Sequence, residues 1–365
     1  MRRIVPLLAC TLAAPMAQAA GPSFSDVLVN SGISVAGHAS GSYTVGFNKG
    51  QLLALRAFDT ESDSFTFNQA WLNVGYQPAE GFGGVATLMA GSDASVVNGS
   101  YTGSTSSDFS LVQGFAQYAS GNFTLIAGRF VTLSGFEVID DTANTNISRS
   151  LLFQNAEPLV HTGVRTSMKA GPATLYLGAS NSALAGTVAD NNKEKTGEFG
   201  VSLAPTSAFS ISAYDYYGID GGNKNNLLDV VMALQATPMF QFALNADWAR
   251  FIGAGSTVAG LAAYANVTWS DSFKTSLRGE YVRFTNVFAP NPPENNCPDG
   301  GGKCNVYEVT LTGDYSASKS FDILVEGRVD SAKGKIFPNG GDPAKKQQPD
   351  VAIKAIYKFG TPTGS

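Results

Sequence analysis

Past residue 20 the chain contains no run of about 18 apolar residues, which excludes a transmembrane helix. Charge is scarce, at 15% of residues, and basic residues are outnumbered, 24 against 29 acidic. That balance leaves no basic footprint for a nucleic-acid partner. Histidine occurs only at His38 and His161, too few for a histidine metal centre. A nucleophilic enzyme needs a base beside a Ser or Cys with a third orienting group, and no such constellation is legible around either histidine. No catalytic residue, cofactor site or metal site is read from the sequence. Gly300–Gly302 followed by Lys303 superficially suggests a phosphate loop, but no strand and helix frame it.

Against these absences stand 40 glycines and 11% aromatics, unusual for a soluble domain of such low charge. The N-terminus explains where such a chain goes. Met1-Arg-Arg, the apolar run Ile4 to Leu12 and the small-residue site Ala17-Gln-Ala19 make residues 1–19 a Sec signal peptide, leaving 20–365 exported. Cys10 in Leu-Leu-Ala-Cys is the less favoured lipoprotein alternative. Removing Arg2 and Arg3 leaves 22 basic against 29 acidic residues and moves the formal charge from −5 to −7. Cys297 and Cys304 are then the remaining cysteines, and in an exported, turn-rich stretch they read as a local disulfide. Zinc is the weaker alternative, because no histidine or third cysteine lies nearby.

Alternation of apolar and polar residues is the dominant pattern. Segments near 33–44, 64–76, 82–92, 109–119, 122–131, 158–169, 172–181, 195–204, 207–217, 226–236, 239–250, 257–269, 272–284, 305–316, 320–330 and 350–359 read as about sixteen strands. Their connections alternate in length. Short turns such as Ser120-Gly121, Ala170-Gly171 and Ser270-Asp271 are separated by longer polar connections at 45–63, 93–108, 132–157, 182–194, 218–225, 251–256, 285–304 and 331–349. Short turns on one side and long loops on the other are the signature of an outer-membrane barrel. In the last strand Val351, Ile353, Ala355, Tyr357 and Phe359 share one face and Asp350, Ala352, Lys354 and Lys358 the other. The same parity holds for Phe321, Ile323, Val325 and Val329 against Asp322, Glu326 and Arg328. Arg129 breaks the rhythm and is expected at the rim. Terminal aromatics including Trp269, Phe273, Tyr307, Tyr315, Tyr357 and Phe359 are expected to form the interfacial girdles. The expected fold is therefore all-β, an antiparallel transmembrane barrel with long extracellular loops and short periplasmic turns. At about sixteen strands, a barrel leaves an aqueous channel.

The organising stretch is Asn122–Lys169, a strand, a long loop and a strand. A structureless loop of this length argues against the assignment unless it has a function. Residues 132–157 are expected to fold into the barrel mouth and constrict it, with Glu137, Asp140, Asp141 and Arg149 at the constriction. Lumen-wall candidates are His161, Arg165, Lys169, Lys274, Arg278, Glu280, Asp322, Glu326, Arg328 and Lys354. The blander reading is that any wide, wet barrel is polar inside. The sharper one is a transverse field, with acidic Glu137, Asp140 and Asp141 facing basic Arg165 and Arg278 and selecting solutes by charge. A surface calcium site at the same three acids suits their oxygen ligands, but their spacing lacks the usual loop pattern.

Phe130-Val-Thr-Leu-Ser-Gly-Phe-Glu-Val-Ile-Asp, Asn144-Thr-Asn-Ile-Ser-Arg-Ser-Leu-Leu-Phe153 and Pro158-Leu-Val-His-Thr-Gly-Val-Arg165 resemble the β-barrel porin-2, OmpL-like family of Gram-negative bacteria. Gly32-Ile-Ser-Val-Ala-Gly-His38 and Phe67-Asn-Gln-Ala-Trp-Leu72 fit it too. The resemblance implies an outer-membrane location, a lipid-embedded barrel and passive diffusion of small hydrophilic solutes or ions, with no catalytic residues. The assembly machinery is expected to read the last strand at Phe359, although Gly360 to Ser365 follow it. Whether three barrels form a homotrimer is open at this point. The rival function is an adhesin or structural anchor with an occluded lumen.

Overall fold

The computed structural model describes residues 31–102, 107–183, 193–220, 223–251, 255–287 and 302–360. Sixteen strands close into one antiparallel barrel in which each strand pairs with its sequence neighbours and the first pairs with the last. In order they are β1 (Ser34–Gly46), β2 (Ser64–Tyr76), β3 (Gly81–Ala90), β4 (Phe109–Ser120), β5 (Phe123–Val131), β6 (Val160–Ala170), β7 (Ala173–Ser180) and β8 (Thr196–Thr206). The second half comprises β9 (Phe209–Asp220), β10 (Asn223–Gln235), β11 (Phe240–Phe251), β12 (Ser256–Ser270), β13 (Phe273–Thr285), β14 (Lys303–Ser318), β15 (Phe321–Ala332) and β16 (Gln347–Gly360). Helix α1 (Ser92–Thr102) follows β3, and the short α2 (Leu151–Asn155) lies in the loop between β5 and β6.

Closure follows from the physics of lipid, where every backbone N–H and C=O needs a partner and an open sheet edge cannot supply one. The seam runs from Ala36 opposite Gly360 to Gly46 opposite Asp350. Alternation sets the register. Val351, Ile353, Tyr357 and Phe359 point outward and are exposed, while Ala352, Lys354 and Ile356 point inward and are buried. Tyr307, Val309, Leu311 and Tyr315 face outward from β14, and Glu308, Thr310 and Thr312 inward. At the end with the short turns, Phe273 lies directly opposite Tyr315, and Phe321 opposite Tyr357, which places them in one girdle.

Three expectations need correction. Connections 218–225 and 251–256 are not long loops: β9 and β10 run on to Asp220 and Asn223, which pair, and β11 and β12 run on to Phe251 and Ser256, which also pair. Arg129 is not exposed at the rim but buried beside Phe130. Gly128, the residue before Arg129, has φ +136°, a conformation that glycine adopts without strain. Lys274 and Lys169 are exposed at strand ends rather than enclosed in the wall, and Lys274 lies opposite Asp314.

Leu311→Arg, on the outward face in the middle of β14, is expected to destabilise the refolded barrel by about 2–4 kcal/mol in urea titrations in lipid vesicles.

Candidate functional site

Residues 132–157 fold inward and lie against the lumen wall rather than extending outside. Local chemistry shapes the loop first. Asp140 Oδ1 accepts from Thr142 N at 2.8 Å and caps a single 3-10 turn, Asp141–Ala143. Asn144 closes the preceding bend through Val138 N and O, both at 2.9 Å. Ser150 caps α2, its Oγ accepting from Phe153 N at 3.0 Å. Arg149 holds these pieces together, donating to the carbonyls of Val138 (2.8 Å), Ile147 (3.2 Å) and Ile139 (3.0 Å) and to Asp141 Oδ1 (2.9 Å). The planar guanidinium suits this, because its donors reach several acceptors at once.

The wall then grips the loop. Arg278 Nη1 donates to Glu137 Oε1 at 2.7 Å and to Ser148 O at 2.8 Å, while its Nε reaches Glu308 Oε2 at 3.1 Å. Glu280 accepts from Leu151 N at 2.7 Å, and Glu326 accepts from Ile147 N at 2.6 Å and Ser148 N at 3.0 Å. Arg328 donates to Arg149 O at 2.6 Å and to Asp330 Oδ1 at 2.9 Å. Lys354 Nζ lies 3.0 Å from Asp141 Oδ2, which also accepts from Ser40 Oγ at 2.6 Å. Burial pushes the Asp141 carboxyl up, but Lys354 and Arg149 outweigh it and hold the group far below the usual carboxylate range. From β13 to β16 the wall is thus bonded to loop backbone and loop carboxylates.

The structure places Glu137, Asp141 and Arg149 in buried pairs, brings Arg278, Glu280, Glu326 and Arg328 against them, and separates off Asp140, His161 and Arg165. Arg165 does not face the loop acids. It pairs with Glu198 on β8 at 2.5 and 2.9 Å and lies over the Phe130 ring at 4.3 Å. His161 stacks on Tyr216, with centroids 4.8 Å apart, and its ring nitrogens reach Ser182 O and Thr132 Oγ1. Asp140 remains partly open and lies 3.6 Å from His38 Nδ1. Cys297 lies outside the described residues, while Cys304 is buried on β14.

Several participants were not singled out as site residues from the sequence, although its alternation already turns Glu308 and Asp247 inward. Glu308, Glu198, Asp229 and Asp247 all occupy inward parity on their strands, a signal present in the alternation. Arg56, between β1 and β2, reaches Asp59 (2.5 Å), Asp330 (2.9 Å) and Asp350, and carried no such signal. Two apolar clusters pack loop residues against the wall and the inner connections. Leu151, Leu152 and Ala156 pack with Tyr216, Leu227, Val258, Phe284, Val306 and Phe337. Phe153 and Ile139 pack with Phe58, Trp71, Met89, Val97 and Val112. A cavity of about 560 Å³ remains beside the loop, lined by His38, Trp71, Asn73, Gln113, Asp140 and Lys358 among others. Among the described residues one group of acids has metal-ligand geometry, Glu157 with Asp229 and Asp247.

Residues 32–359 match the family model described as putative beta-barrel porin-2, OmpL-like, and the chain belongs to that family. The fold and family together define an outer-membrane porin, a passive diffusion channel of Gram-negative bacteria. Solved structures of similar fold include the outer membrane channel DcaP of Acinetobacter baumannii, at 12% identity and TM-score 0.62, covering 90% of this chain and 97% of that one. The anion-selective porin from Comamonas acidovorans is similar at 13% identity and TM-score 0.61, covering 90% and 99%. OprB of Pseudomonas putida is similar at 11% identity and TM-score 0.61, covering 91% and 96%. No curated protein sequence matches.

Two predictions follow from these contacts. Arg278→Met strands Glu137, Glu280 and Glu308 without their shared cation and is expected to cost about 3–5 kcal/mol; limited proteolysis should then cut within 132–157. In α1, burial and then the charge of Asp141 push the Asp93 carboxyl up to about 6. Its protonated form therefore favours the folded state, so that contribution is full below the unfolded value near 3.8 and is lost as pH rises through 6. The stability of wild type relative to Asp93→Asn should fall by about 1–3 kcal/mol between pH 4.5 and 7.5, measured by denaturant titration.

Proposed function

We propose that loop 132–157 sets the conductance of this porin, and that small hydrophilic solutes or ions pass through the space left beside it, past Asp140, His38 and Lys358. The observation that carries this reading is the grip of Arg278, Glu280, Glu326, Arg328 and Lys354 on the loop, which fixes a constriction inside a barrel wide enough to hold water. The charged pairs act as a latch rather than as an open field across the pore, because Glu137 and Asp141 are neutralised where they stand. Asp140 is then the constriction acid left to act on passing ions. The reading is of a channel and not of an enzyme: His161 is engaged by Tyr216, Ser182 and Thr132 rather than set beside a nucleophile. Residues 1–19 serve as the export signal, Phe359 as the residue offered to the assembly machinery, and three barrels associate as a homotrimer; a similar fold is described in a trimer form for OmpT of Vibrio cholerae.

Planar-bilayer recording of refolded protein tests the latch. The wild type is expected to show small ohmic steps. Glu137→Gln combined with Asp141→Asn should raise the conductance at least about twofold by releasing the loop, while Asp140→Asn alone should shift cation/anion permeability without changing the step size much. Unchanged conductance in the double variant would remove the constriction role. The apolar clusters filling the interior favour a second reading, an occluded barrel acting as adhesin or anchor, for which neither wild type nor variant conducts.

A further inference from the structure

The latch balances its charges; the neck of the same loop does not. Glu157 ends the loop just before β6, Asp229 lies on β10, and Asp247 lies directly opposite Asp229 on β11. All three are buried, and one carboxylate oxygen from each lies within 4.8 Å of the others. No Lys, Arg or His is paired with any of them among the described residues. Asn245, only 1% exposed and on the same face of β11, reaches Glu157 Oε1 at 3.2 Å and Asp247 Oδ2 at 2.7 Å through its amide. Four oxygens here have no hydrogen-bond partner: Glu157 Oε2, Asp229 Oδ1, Asp247 Oδ1 and Asn245 Oδ1. Gly135 makes the gathering possible. At φ +92° it donates its N–H to Asp229 Oδ2 at 3.2 Å, and a Cβ there would stand 1.9 Å from Glu157 Oε2.

Burying carboxylates without a countercharge costs several kcal/mol per ion, so such a cluster holds either protons or a cation. The donor set is all oxygen, three carboxylates and one amide, which suits a hard divalent ion. Calcium accepts 6–8 oxygens at about 2.3–2.6 Å in irregular geometry, whereas magnesium demands a near-ideal octahedron and zinc prefers nitrogen or sulfur. The oxygen and nitrogen of the Asn245 amide exchange places by rotation, which turns Oδ1 toward the ion. We propose that Glu157, Asp229, Asp247 and Asn245 form a calcium site that staples the neck of the constriction loop to β10 and β11. The ion would fasten both ends of the loop, Gly135 and Glu157, to the wall away from the β13–β16 latch.

The test uses full-length barrel refolded in detergent, stripped with EDTA and titrated with calcium chloride by equilibrium dialysis. About one calcium per chain is expected, with magnesium binding at least about tenfold more weakly. Asp229→Asn with Asp247→Asn should abolish binding while the barrel keeps its heat-modifiable mobility on gels. If that variant does not fold, Glu157→Gln, which alters the loop and leaves the wall intact, should weaken binding at least about tenfold. Calcium should also slow proteolysis of 132–157 in the wild type alone. Folded wild type that binds no calcium at 5 mM, roughly the weak limit for such sites, overturns the proposal in favour of shared protons; so does a folded variant that binds as well as wild type. Neither result bears on whether the barrel conducts.

Discussion

A hydrocarbon solvent offers no hydrogen bonds, and this one constraint organises the molecule from the outside in. It forces the backbone into a closed ladder, and the ladder forces every second side chain inward. Once the inward set is fixed, its charges are enclosed by protein and must find partners there. Arg278, Arg328, Glu280 and Glu326 find them in loop 132–157. The loop is held inside for the same reason that the strands close: unpaired polar groups away from water are costly, on the order of several kcal/mol each.

The loop fits that demand because it carries what the wall lacks. Its own backbone N–H groups at Ile147, Ser148, Leu151 and Leu152 are donors, and they meet wall carboxylates. Its carboxylates, Glu137 and Asp141, meet wall cations. Between these contacts lie Leu151, Leu152 and Phe153, which would be unfavourable in an open aqueous pore and instead fill the interior. Where the loop lies, the interior is packed like a protein core crossed by polar contacts, with an open cavity beside it.

The architecture was largely legible in the sequence because a barrel writes its two faces at a period of two, and turns and loops mark its strand ends. The inward-facing residues were legible, their pairings only in part. Glu137, Asp140 and Asp141 were expected to face Arg165 and Arg278; Arg278 does meet Glu137, whereas Arg165 is taken by Glu198 and Asp141 by Arg149 and Lys354. Alternation says which way a side chain points and says nothing about what crosses the lumen to meet it. Arg56 was invisible for another reason: it lies in a connection without periodicity. The neck acids were missed because Glu157 lies some seventy residues before Asp229 in the chain, and only the closed barrel brings them together.

Arg56 also ties the two ends of the chain's topology. Borne on the first hairpin, it grips Asp330 and Asp350 on the last two strands, and Gln348 of β16 reaches back to Ala54. It therefore spans the β1–β16 junction from within. A barrel still open along that line would keep Arg56 on Asp59 and Asp330 on Arg328 but leave Asp350 without its guanidinium, so closing the last seam and ordering the first inner loop reinforce each other.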